Sequence, residues 1–69
     1  HTEDAFASAQ AALRRAPHSI WVLKAAGDTW RDRDDYAQAL RLYERGLALA
    51  PDDTMLLRAR AKALAMMER

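Results

Sequence analysis

The groups able to do chemistry in this 69-residue chain are ten carboxylates, eleven lysines and arginines, two histidines and a few hydroxyls, because cysteine is absent. Neither a disulfide framework nor a thiolate zinc site can form without it. The sole internal histidine, His18, follows Pro17 in a turn, and His1 is terminal, a residue ascribed to processing or to a tag. No Ser/His/Asp ordering, glycine-rich phosphate loop or HExxH spacing occurs. The densest acidic run, Asp32-Arg33-Asp34-Asp35, lacks calcium-loop spacing and reads as capping and solvating a turn. Catalysis, a metal and a cofactor are therefore not expected.

Charge narrows the remaining partners. Nine arginines could form a basic stripe, but acids are interleaved among them and the net charge is only +1, so no nucleic-acid partner is expected. Arg14-Arg15 reads as a favourable end to a helix dipole rather than as a phosphate site. No stretch reaches the roughly 18 apolar residues of a membrane span, and the first residues lack the basic-then-apolar pattern of a signal peptide, so no membrane partner is expected. What is left is recognition by side chains that mix charge and apolar surface. Trp21 beside Lys24 is the first such place, and Trp21 can be read either as an exposed contact or as part of the adjoining buried stripe.

These side chains must be positioned by helices. Only five residues are β-branched, while alanine, leucine and arginine supply much of the chain, so the fold class is all-α. The apolar fraction is 51%, but 16 of those residues are alanine, so a single domain with a thin core is expected. Pro17, the Asp32–Asp35 cluster and Pro51-Asp52-Asp53 cut the chain into four helix-length segments. The first, from Thr2 to Ala16, aligns Ala5, Phe6, Ala9, Ala12, Leu13 and Ala16. The second, capped by Ser19 and ending near Arg31, aligns Ile20, Leu23, Ala26, Gly27 and Trp30. Gly27 costs about 1 kcal/mol inside a helix, which predicts close approach of a neighbouring helix. The third, capped by Asp35 with Gln38 three residues on, buries Ala39, Leu40, Tyr43, Gly46 and Leu47. The fourth, capped by Asp52 or Asp53, carries Leu57, Ala61 and Leu64 on one side, with Met66 and Met67 expected in a helix–helix contact.

Pro17 and Pro51 are 34 residues apart, and at that offset Ala5 pairs with Ala39, Phe6 with Leu40, Ala12 with Gly46, Leu13 with Leu47 and Ala16 with Ala50. Leu23 likewise pairs with Leu57, Gly27 with Ala61 and Trp30 with Leu64, without an insertion. A 34-residue helix-turn-helix period resembles the tetratricopeptide repeat (TPR), with its W-x2-L-G-x2-Y, A-x3-F and P pattern. Leu23, Ala26, Gly27 and Trp30 fall on the first block, Ala39 and Tyr43 on the second, and Pro51 on the last, with Leu23 in place of the tryptophan and Ala26 in place of the leucine. Arg60 stands at the position of Ala26 in the next unit, a departure from the pattern. The resemblance spans the chain as the second helix of one repeat (1–17), one full repeat (18–51) and the first helix of the next (52–69).

That resemblance implies a TPR-like α-solenoid fragment acting as a non-catalytic scaffold or adaptor, in which first helices line a concave groove for a peptide or helix of a protein partner. Groove positions would be Trp21, Lys24, Asp28, Arg31 and Asp32, with Met55, Arg58, Lys62 and Met66 from the next unit. Lys24, Arg58 and Lys62 would form a basic patch suited to an acidic segment. A subgroup of the family clamps a C-terminal carboxylate with lysine and asparagine, but Asp28 and Ala59 stand where asparagines would be, so that activity is not implied. Two repeat equivalents fall short of the three or so that such arrays usually need, so apolar surface is expected at both ends. The alternative function is homo-oligomerisation, as a homodimer through Phe6, Leu57 and Leu64. A start at His1-Thr2-Glu3 without methionine fits a segment of a longer protein, and the arginine and alanine bias fits a GC-rich bacterial genome.

Overall fold

The computed structural model describes residues 2–69, with side chains from Glu3 onward, and His1 lies outside the described residues. Four helices follow one another: α1 (Thr2–Arg15), α2 (Ile20–Asp32), α3 (Tyr36–Leu49) and α4 (Thr54–Met67). Each later helix starts where a side chain takes an orphan backbone N–H. Ser19 accepts from Val22, Asp35 from Gln38 and Asp53 from Leu56, at 3.4, 3.2 and 3.0 Å. The acidic run has a structural job at the α2–α3 turn. Asp34 sits at φ 63, while its N–H bonds Arg31 O and the Asp35 N–H reaches back to Trp30 O, the paired bonds of a Schellman stop. Aspartate tolerates this left-handed conformation better than most residues.

Turns this short reverse the chain, and each helix packs on the next, while α2 also touches α4. The result is two layers, with α2 and α4 running parallel on one side and α1 and α3 on the other. The core has two clusters. One joins Ala39, Tyr43 and Leu47 of α3 to Leu56, Ala59 and Ala63 of α4. The other joins Ala9, Leu23, Ala26 and Leu42, and Trp30 packs against both.

Glycines let the layers meet. A Cβ on Gly27 would lie 2.5 Å from Tyr43 Cε1, and one on Gly46 would lie 2.8 Å from Leu56 Cδ1. The expected close approach at Gly27 is thus the tyrosine ring of α3. The three N-caps and the close approaches at Gly27 and Gly46 match the sequence, but two faces differ. Leu42, outside the predicted stripe of α3, is buried in the cluster with Ala9, Leu23 and Ala26, so α3 buries a wider face than its stripe; Leu40 is half-buried.

The larger difference is in α4. The stripe counterpart to Leu23, Gly27 and Trp30 does not pack; Leu57 and Leu64 are 37% and 40% exposed, and Leu56, Ala59 and Ala63 are buried instead. Leu23, Gly27 and Trp30 face α3, whereas nothing among the described residues covers the same side of α4, so α4 is held by the flank that meets α3 and by a smaller contact with α2. Met67, expected in a contact, is exposed on this uncovered side, while Met66 is half-buried.

Gly27→Ala should lower stability in a chemical-denaturation series by about 1 kcal/mol or more, overpacking outweighing the gain in helix propensity. Gly46→Ala should cost less, since Leu56 can change rotamer where the Tyr43 ring cannot. A stabilised Gly27→Ala variant would show that the ring has room to move.

Candidate functional site

Lys24, Asp28 and Arg31 recur at helical spacing on α2, and Arg58 and Lys62 do so on α4, so two parallel helices bring them to one surface. Between the helices lies a hollow of about 210 Å³ lined by Lys24, Arg31, Met55, Arg58, Ala59 and Lys62. A second hollow of about 560 Å³ continues from it toward the helix C-termini, sharing Arg31 and Lys62 and adding Asp32, Asp34, Tyr36, Ala65 and Met66. The two form one groove.

Asp28 organises its α2 wall. One carboxylate oxygen accepts from Lys24 Nζ at 2.8 Å, and the other accepts from the Tyr43 hydroxyl at 2.5 Å with Arg31 Nη1 at 3.8 Å. The aspartate thereby neutralises the α2 cations and fixes their position. Across the groove, Arg58 and Lys62 have no hydrogen-bond or ion-pair partner among the described residues. The uncompensated positive charge of the site therefore sits on α4.

Trp21 stands one turn before Lys24 and is 78% exposed, which decides between the two alternatives for this residue in favour of an exposed contact. Met55 holds the equivalent place one turn before Arg58 and is also exposed. The predicted groove residues are thus gathered on one face. The predicted self-association residues are not. Leu57 and Leu64 lie open on α4, but Phe6 is half-buried between α1 and α2, edge-on to Trp30 with centroids 4.8 Å apart and with the Arg33 guanidinium 4.1 Å over its ring. Arg33 is held there by Glu3 at 2.7 Å. Phe6 is therefore part of the α1–α2 contact rather than of a free end face, and the exposed residues of α1 from Glu3 onward are small or charged.

Sequence reasoning missed the Tyr43–Asp28 bond and the part played by Asp34 and Tyr36 in extending the groove. Tyr43 and Asp28 lie on different helices 15 residues apart, so helical periodicity carries no signal for their meeting. The largest hollow, about 700 Å³, lies on the other layer between α1 and α3 around Leu13, Trp30 and Leu42, and contains none of the predicted site residues; the buried Gln10 Nε2 beside it has no hydrogen-bond partner. No group of three or more His, Asp or Glu that could hold a metal ion occurs among the described residues, and no described helix is long and apolar enough to cross a membrane. No protein-family model, curated protein or solved structure matches the chain.

Burial, and then the bond to Asp28, raise the Tyr43 hydroxyl well above its ordinary pKa of 10. A raised pKa means that folding favours the protonated phenol, so this contribution is complete below pH 10 and is lost as pH climbs toward the folded-state value. Stability measured by urea denaturation should fall above about pH 10, and Tyr43→Phe, which leaves every other titratable group in place, should flatten that fall. An unchanged slope in the variant would assign the loss to other groups, Tyr36 among them.

Proposed function

We propose that this chain is a non-catalytic protein-interaction module of the TPR type that binds a peptide segment of a partner in the groove between α2 and α4. The observation that carries it is the convergence of Lys24, Arg31, Arg58 and Lys62 around one hollow that Met55 also lines, with Trp21 exposed one turn before Lys24 on α2. The 34-residue offset supports the repeat character, since it places Ser19 on Asp53, which cap their helices alike, and Lys24 on Arg58, which line the same hollow. Two parallel helices backed by α3 offer a rigid, partly apolar trough, a surface suited to an extended segment whose ordering entropy must be offset by a few strong contacts. Large exposed aromatics beside charges are the usual centre of such contacts.

A second reading, self-association through α4, is favoured by one observation: Leu57, Leu64 and Met67 are 37%, 40% and 50% exposed along the same uncovered helix. The two readings use different sides of α4 and can be separated by mutation.

Trp21→Ala and Lys24→Glu should each weaken binding of an acidic peptide by about tenfold in titration calorimetry while leaving the unfolding midpoint of Trp21→Ala unchanged. Binding that survives both substitutions removes the groove reading. For the second reading, sedimentation velocity over a wide concentration range should give dimer that Leu64→Glu returns to monomer; a monomer throughout ends it.

A further inference from the structure

Chemistry along the groove is not uniform, and its order dictates what an occupant must look like. At the N-terminal ends of α2 and α4 stand Trp21 and Met55, both exposed. One to two turns on come the cations, of which Arg58 and Lys62 are unpaired while Lys24 and Arg31 already share Asp28. At the C-terminal end the groove adds Asp32 and Asp34, the latter accepting from the Tyr36 hydroxyl at 3.1 Å, with Met66 on the α4 side. The sequence of environments is therefore apolar, cationic, acidic.

We infer that the partner segment carries the complementary order: a bulky apolar residue, then two acidic residues, then a basic residue. This rests on the groove reading above and adds to it the grammar of the ligand. Trp21 and Asp32 are eleven residues apart on one helix, about 16 Å at about 1.5 Å per residue, which an extended chain covers in about five residues. The acidic pair falls opposite Arg58 and Lys62, because Asp28 already satisfies the α2 cations and repels a further anion on that wall. The basic residue falls opposite Asp32 and Asp34. Like-charge mismatch at either place would disfavour segments in another order, so order rather than net charge sets selectivity.

The probes are acetyl-Phe-Asp-Glu-Ala-Lys-amide, its reversed sequence, and acetyl-Asp-Phe-Lys-Ala-Glu-amide, which has the same composition with the acids moved to the ends. Binding is followed by amide chemical shifts of Met55, Arg58, Lys62 and Met66. One of the two ordered peptides should bind about tenfold more tightly than the rearranged one, through these residues. In the Arg58→Glu/Lys62→Glu double variant that peptide should lose its advantage, and a version with both acids replaced by lysine should regain it, a rescue that a merely structural defect cannot produce. Equal affinity for all three peptides in the groove overturns the ordering and leaves the groove reading standing. Shifts confined to Leu57 and Leu64, or none at these groove residues at any peptide concentration, overturn both.

Discussion

The seating of the Tyr43 ring against Gly27 is the contact on which the other features depend. It lets α3 lie closer to α2 than side chains elsewhere would allow, and it aims the tyrosine hydroxyl through the layer onto Asp28. The same ring is therefore a core element at one end and a groove element at the other. A buried aromatic with one polar tip must find a partner for that tip, and here the partner is a carboxylate that also holds Lys24 and lies near Arg31. Packing and site chemistry are joined through a single residue, so the positions of the α2 cations are inherited from the core.

Local signals in the sequence were sufficient for the frame. Ser19, Asp35 and Asp53 cap the helices, Pro17 and Pro51 follow their ends, and Gly27 and Gly46 mark close approaches, because each of these effects acts within a few residues or demands a missing side chain. The groove residues came from the repeat resemblance rather than from spacing, and the structure places them on α2 and α4. Failures occurred where the answer depended on what lies beside a helix rather than within it. Leu42 is buried because it joins Leu23 and Ala26 of α2 and Ala9 of α1 in one cluster, and Leu57 and Leu64 are open because no described element covers that side of α4. An apolar stripe read from periodicity says that a helix has a face to bury; it does not say whether the neighbour is there. Phe6 shows the converse, for its partners Trp30 and Arg33 come from a different segment and give a residue assigned to a free end a place in a contact.

Charge is distributed with the same economy. Asp28 absorbs the positive charge of its own helix, so the field in the groove is set mainly by α4, whose residues between Thr54 and Met67 include Arg58, Arg60 and Lys62 and no acid. That helix also carries most of the exposed large apolar side chains, Met55, Leu57, Leu64 and Met67. A surface both cationic and loosely covered is suited to association, and its two sides present different chemistry: charge toward α2, leucine and methionine away from it.

The Cα framework measures 28 × 26 × 14 Å, its shortest direction being just the depth of two packed helices. A slab of that depth has no interior belonging to one face alone. Trp30 floors the hollow on the α1–α3 side and also packs against the cluster that supports α4, while Tyr43 reaches from α3 to the opposite wall. Occupancy on either face would thus bear on the same few side chains, so any coupling between the two surfaces would run through Trp30 and Tyr43.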